Sequence, residues 1–360
     1  MPKIYFTPGP SQLYFTVQEH LRRALREDIP SISHRSTKFQ NIYAEAVDNI
    51  SALLNLPSGY KILFTASATE AWERIIQNLV ERESFHLVNG AFSARFHEIS
   101  QQLGRTALSA EAAEGSVVEM SSLLIPESTE LIAITHNETS TGARQPEKDV
   151  ESIRKAFPNQ LIALDVVSSV PDAEINYNHV DTAYFSVQKA FGLPAGLGVW
   201  IVNDRCIEKS AQLQESGTIT GSYHSISAML EKAVKNQTPE TPNVLGIYLL
   251  GRVAGDMLEK GLDQIRRETA YKSAMLYHTY ENHPRLRAFV TNPEQRSRTT
   301  TVAHVDSGSP ELISYLSSRG FIVGSGYGKY KSDHIRIANF PTHSKEQIEM
   351  LADYLSAWKQ

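Results

Sequence analysis

The chain has 360 residues, a length that two packed lobes fill better than one core. Its 35 lysines and arginines against 40 aspartates and glutamates give a net charge of −5, so no basic excess is available to grip a nucleic-acid backbone. With 41% hydrophobic and 21% charged residues it is not a disordered chain, and its single cysteine, Cys206, excludes an intrachain disulfide and a cysteine-built metal site.

The opening Met-Pro-Lys-Ile-Tyr-Phe lacks the basic-then-apolar pattern of a signal peptide, and no run approaches the ~18 apolar residues that span a membrane. A cytoplasmic chain, off the membrane and off nucleic acid, with no metal, is the expectation. In chain order, Ser36–Leu54 comes first as an amphipathic helix, with Phe39, Ile42, Tyr43, Ala46, Val47, Ile50, Leu53 and Leu54 on one stripe and Ser36 as its cap. Short apolar runs then alternate with helical stretches. The runs are Ile62–Thr65, His86–Asn89, Leu131–Thr135, Leu161–Asp165, Thr182–Val187 and Leu197–Val202; helices are expected over Glu70–Glu81, Ala94–Leu103 and Lys148–Ala156. Several runs are apolar at successive positions, as strands covered on both faces are, so the pattern predicts an α/β fold with a mostly parallel sheet. After residue 240 the texture changes. Helices over Val244–Glu259 and Tyr271–Glu281 lead to strands at Thr299–Val305, Phe321–Val323 and His334–Ala338, with helices at Glu311–Ser318 and Lys345–Trp358. This predicts an N-terminal arm (1–15), a large domain (16–243), and a connecting helix with a smaller α+β domain (244–360).

Ligands of open α/β sheets sit beyond the carboxyl ends of the strands, and four such ends carry polar residues. Phe64-Thr-Ala-Ser-Ala-Thr-Glu-Ala71 runs through small residues into a helix whose free N–H groups could cradle a phosphate. It has neither a Walker A pattern nor a Gly-x-Gly-x-x-Gly fingerprint, which argues against a nicotinamide-dependent oxidoreductase. His136-Asn-Glu-Thr-Ser-Thr-Gly142 is a polar loop after a buried run. Leu161–Asp165 ends in a carboxylate that is costly to bury without a cation; a ribose, a metal or a protonated ring nitrogen could each meet it. Lys189, in Ser186-Val-Gln-Lys-Ala-Phe-Gly192, leaves a buried strand among small residues, the setting a covalently reacting lysine needs. Asp165 precedes it by 24 residues, so both could face one ligand from neighbouring strand ends.

Taken together and in this order, the phosphate-type turn, Asp165-x-x-Ser-Ser and Gln188-Lys189 resemble the class V aminotransferase family of fold-type I pyridoxal-phosphate enzymes, from Thr7-Pro-Gly-Pro10 to the Arg336 region. The resemblance implies a large domain with a seven-stranded-type sheet, a smaller C-terminal domain, pyridoxal 5′-phosphate as cofactor and a homodimer with composite sites. By the same resemblance Lys189 carries the cofactor and shuttles a proton, and Asp165 pairs with its ring nitrogen. Ala68, Thr69 and Gln188 serve its phosphate, Phe92 stacks on the ring, Thr139 lies near the ring hydroxyl and Ser168 belongs to the same set. Thr241 matches a residue that reaches the phosphate site of the neighbouring subunit. Arg336 matches the arginine for the substrate α-carboxylate, and His34-Arg35 the pair that grips a substrate phosphate in the phosphoserine branch.

Within the family, cysteine desulfurases are excluded, because Gln188 stands before the lysine and Cys206 lies at a strand end rather than in a downstream loop. The Ile335-Arg-Ile-Ala-Asn-Phe-Pro341 ending resembles a divergent phosphoserine branch, transaminating between phosphoserine and 2-oxoglutarate in serine biosynthesis. Thr69 and Phe92 stand where many phosphoserine enzymes carry arginine and tryptophan. Thr69-Glu-Ala71, Asn137–Gly142 and Asp165–Ser169 look closer to alanine–glyoxylate, serine–glyoxylate or serine–pyruvate aminotransferases, the alternative reading.

Overall fold

The computed structural model describes residues 3–358. It opens with a short strand, β1 (Ile4–Phe6), and two helices, α1 (Val17–Arg26) and α2 (Thr37–Leu54). The Ser36 hydroxyl accepts the Phe39 N–H at 3.2 Å and so caps α2, as its position before the apolar stripe predicts. The large sheet then alternates with helices: β2 (Lys61–Thr65), α3 (Ala68–Leu79), β3 (Glu83–Val88), α4 (Ala91–Gln102), β4 (Thr106–Glu111) and β5 (Leu131–Thr135). A two-strand hairpin, β6 (Asn137–Glu138) and β7 (Ala143–Arg144), follows β5. After it come α5 (Glu147–Ala156), β8 (Leu161–Asp165), β9 (Thr182–Ser186), β10 (Gly198–Val202), α6 (Asp204–Glu215) and α7 (Ile226–Ala233). The seven strands lie in the order β2-β10-β9-β8-β5-β3-β4, all parallel except β10, which runs against both its neighbours.

One apolar core fills the face covered by α2, the other the face covered by α3 and α4, which is why β5, β8, β9 and β10 are buried at every position. Two long helices, α8 (Val244–Lys260) and α9 (Leu262–Asn282), meet at Gly261 and lead to a second sheet. Its elements are β11 (Leu286–Ala288), β12 (Thr300–Val305), α10 (Pro310–Ser317), β13 (Phe321–Ser325), β14 (His334–Ala338) and α11 (Lys345–Ala357). The strand order is β1-β13-β14-β12-β11, with its own core around Phe6, Leu276, Leu312, Ile335 and Leu351.

The described part of the expected arm, residues 3–15, is thus more than an arm. Ile4–Phe6 pairs in parallel with Phe321–Val323, so the beginning of the chain completes the sheet formed by its end. The expected arm and C-terminal domain include residues 1, 2, 359 and 360, which lie outside the described residues. The local pattern also passed over α1, β4, α6, α7 and β11. Strand β4, at the sheet edge, is only partly buried and carries Thr, Ser and Glu, so it has no apolar run. Among the described residues no helix is long and apolar enough to cross a membrane.

Candidate active site

The carboxyl ends of β2, β5, β8 and β9 converge on one cavity of about 90 Å³. Ala68, Thr69, Phe92, Thr139, Asp165, Gln188 and Lys189 line it, together with Trp72, Thr135, Asn137, Val167 and Ser186. Strands β8 and β9 are neighbours, with Asp165 opposite Tyr184, so Asp165 and Lys189 come from adjacent strand ends as their spacing suggests.

Lys189 is 8% exposed; its Nζ donates to Thr139 Oγ1 at 2.9 Å and lies 5.1 Å from the Phe92 ring centre. Burial pulls its pKa down to about 8; Asp165 and Glu138 oppose that shift and Arg336 adds to it. The lysine stem is also covered from the chain start. Gly9, at φ +141°, comes so close that a Cβ there would lie 3.0 Å from Lys189 Cε, and Ser11 N–H donates to the Gln188 carbonyl at 3.0 Å.

Asp165 is 4% exposed and forms no ion pair among the described residues. One carboxylate oxygen accepts the Val167 N–H at 2.9 Å. Burial raises its pKa to about 6, and that N–H and the Lys189 charge only partly offset the shift. Ser168 stands behind the cavity wall, its hydroxyl bonded to Thr139 Oγ1 at 3.0 Å, to the Asn137 amide at 2.7 Å and to the Asn137 carbonyl at 2.9 Å. It braces Thr139 rather than facing the cavity. At the phosphate-type turn, Ala68 N–H donates to Ser186 Oγ at 2.7 Å and Glu70 N–H to the Ser67 cap at 3.1 Å.

Arg336 stands on β14 of the second sheet and, unlike Lys189, does not line the cavity itself. Its Nε donates to the Ser325 carbonyl at 2.8 Å, and its guanidinium lies 5.3 Å from the ring centre of Tyr327, whose ring is 5.2 Å from that of Phe92. Tyr327 thereby links Arg336 on β14 to Phe92 on α4. His34, Arg35 and Thr241 do not line this cavity. The Arg35 guanidinium donates to Gln237 Oε1 and the Thr238 carbonyl, both at 2.8 Å, and to the Pro239 carbonyl at 3.1 Å. The three residues therefore gather on one stretch of surface, where Arg35 ties the 33–36 turn to the segment leading to Thr241.

Residue patterns alone missed Glu138, Asn137, Trp72 and Tyr327. Glu138 is fully buried, and the Asn137 Oδ1 and Trp72 Nε1 atoms are buried without partners at the cavity. Two polar residues so close behind the all-apolar Leu131–Ile134 were the available signal for Asn137 and Glu138.

The family model described as Aminotransferase class-V matches residues 5–333. A phosphoserine aminotransferase structure from Cytophaga hutchinsonii is 49% identical, with a TM-score of 0.98 and 99% of each chain covered. A phosphoserine aminotransferase of Rhodococcus opacus (strain B4) is 29% identical over 326 residues, 89% of this chain and 85% of that one. A PLP-bound phosphoserine aminotransferase structure from Trichomonas vaginalis, 19% identical with a TM-score of 0.80 over 98% of this chain and 99% of that one, shares the fold.

Proposed function

This chain belongs to the class-V aminotransferase family, and on that premise we propose that it is a pyridoxal-phosphate-dependent transaminase exchanging the amino group between phosphoserine and 2-oxoglutarate. The cavity residues fit the cofactor. A nearly fully buried carboxylate without an ion pair, Asp165, suits a protonated ring nitrogen. The first N–H groups of a helix lack intrahelical partners; Ser186 and Ser67 take those of Ala68 and Glu70, leaving Thr69 at the start of α3 to meet a phosphate. When bound, the cofactor supplies an electron sink that weakens the Cα–H bond of an amino acid.

The chain's own groups do the rest. Lys189, its pKa drawn down to about 8, gives up its proton far more readily than a free lysine, so a fraction of its Nζ is neutral near physiological pH and able to attack and to carry a proton. Thr139 Oγ1 orients that nitrogen. Arg336, with Nε committed to the Ser325 carbonyl, keeps its terminal nitrogens for a bidentate grip on an α-carboxylate, which both partner substrates carry.

The observation that carries the phosphoserine reading is the 49% identity over 99% of the chain to a phosphoserine aminotransferase, well above the range in which only a fold is shared. The test is a glutamate-coupled assay comparing 3-phosphohydroxypyruvate with glyoxylate and pyruvate. The phosphorylated acceptor is expected to lead by at least about tenfold in kcat/KM, about 1.4 kcal/mol of transition-state preference. A tenfold lead for glyoxylate overturns the substrate and leaves the transaminase standing.

The composite, homodimeric site and a cytoplasmic role in serine synthesis are part of the same reading. Its support is the grouping of His34, Arg35 and Thr241 on one surface away from their own cavity. Arg35→Ala is expected to raise KM for the phosphorylated acceptor more than for alanine. Mixing inactive Lys189→Ala chains with Arg35→Ala chains, after dissociation and reassociation, is expected to restore phosphorylated-substrate turnover through mixed dimers. No recovery would place Arg35 at its own chain's cavity or at none.

A further inference from the structure

Glu138 is a buried acid whose hydrogen-bond donors are all neutral. Its Oε2 accepts the Phe92 N–H at 3.1 Å, the Ser93 N–H at 3.0 Å and the Ser93 hydroxyl at 3.1 Å. Its Oε1 accepts the Ser140 N–H at 3.0 Å and the Ser140 hydroxyl at 2.7 Å, and that hydroxyl in turn accepts the Ala91 N–H at 2.9 Å. Three consecutive amides at the start of α4 are therefore held by the 138–140 turn. The fit leaves no room for another atom: a Cβ on Gly90 would lie 2.3 Å from Glu138 Cγ.

The two elements joined in this way carry the two groups flanking Lys189. Phe92, in the first turn of α4, sets its ring 5.1 Å from the lysine nitrogen, and Thr139, next to Glu138, accepts its hydrogen bond at 2.9 Å. Burying a carboxylate without a cation is costly, and neutral donors at a helix N-terminus offset only part of the cost. The remaining negative charge acts on Lys189, Asp165 and Arg336, the charged groups gathered around the cavity.

We propose that Glu138 is a positioning residue that locks the start of α4 to the 138–140 turn, holding Phe92 and Thr139 in fixed places around Lys189. This deepens the reading of Lys189 as the cofactor-bearing residue and rests on it. Glu138→Gln keeps the length but removes the charge and turns an N–H₂ toward donors; Glu138→Asp keeps the charge but falls one methylene short.

In cofactor-free protein, hydrogen exchange at the Phe92 and Ser93 amides is expected to quicken about tenfold or more in both variants, a loss of roughly one charge-assisted hydrogen bond. After reconstitution with pyridoxal phosphate, the pH midpoint of the visible band is expected to fall in Glu138→Gln, because a neighbouring negative charge is gone, and to stay near wild type in Glu138→Asp. Cofactor affinity is expected to weaken about tenfold in Glu138→Gln. Wild-type exchange and an unmoved midpoint in Glu138→Gln would overturn the proposal. Should that variant fail to fold, Ser140→Ala decides on the same readouts: faster exchange at Ala91–Ser93 supports the clamp, and wild-type exchange refutes it. If wild-type protein gains no visible band with added pyridoxal phosphate, the cofactor reading falls instead, while the exchange result still judges the clamp.

Discussion

Lys189→Ala is expected to yield a folded protein with no visible cofactor band and less than about one part in 10⁴ of wild-type turnover, the upper end of what one acid–base group contributes. Among the described residues no other lysine is in position to replace it, since Lys189 alone among them lines the cavity. The same substitution makes a prediction about stability. In the folded cofactor-free chain burial lowers the lysine pKa from 10.5 to about 8, so between those values the unfolded chain holds a proton that the folded chain has lost. Stability in that window rises with pH, and below about 8 the full cost of a buried cation is present. Lys189→Ala removes this cost. Its cofactor-free form should resist urea at pH 7 at least as well as wild type and show a flatter stability profile between pH 8 and 10.5. A variant that keeps the band or the turnover would remove Lys189 from the chemistry.

Asp165→Asn is expected to lower kcat/KM by about 10²–10³-fold, the usual cost of losing one partner aimed at developing charge. Here the sign runs the other way. Burial, the largest influence, raises the carboxyl pKa to about 6, so between roughly pH 4 and 6 the unfolded chain releases a proton that the folded chain retains. The contribution of this carboxyl to the stability of cofactor-free wild type therefore falls as pH rises through that window and stays low above it. Asp165→Asn should be as stable as wild type near pH 4 and more stable at pH 7 without cofactor, whereas with cofactor the order should invert. Such a crossing separates a carboxylate kept for its ligand from one kept for the fold. If Asp165→Asn is less stable than wild type in both states, Asp165 is structural.

The parts of this molecule that were legible in its sequence are those whose cause is local. Strands β5, β8 and β9 are buried on both faces, and their unbroken apolar runs announce it. The cap at Ser36 sits one residue before a helix whose apolar stripe opens at Phe39. Lys189 and Asp165 stand out because a charge at the end of such a run needs a reason. What stayed hidden depends on contacts between distant segments. Nothing in Asn137-Glu-Thr tells that Glu138 reaches across 45 residues to Ser93, or that Arg35 lies against Gln237. A three-residue strand such as β1 carries too little pattern to reveal that its partner is at the other end of the chain.

That pairing also orders events in time. Ile4–Phe6 is made more than 300 residues before its partner Phe321–Val323, a wait of roughly 15–60 s at 5–20 residues per second. The seven-stranded sheet, complete by Val202, can form during that wait. The segment bearing Gly9 is bound to the 188–192 turn by Ser11 and Tyr14, but it gains its second anchor, the β1 pairing, only after the last strands have been made. The cover over Lys189 is thus among the final features of the molecule to be fully anchored, and a chain interrupted before residue 321 would lack the strand that holds its outer end.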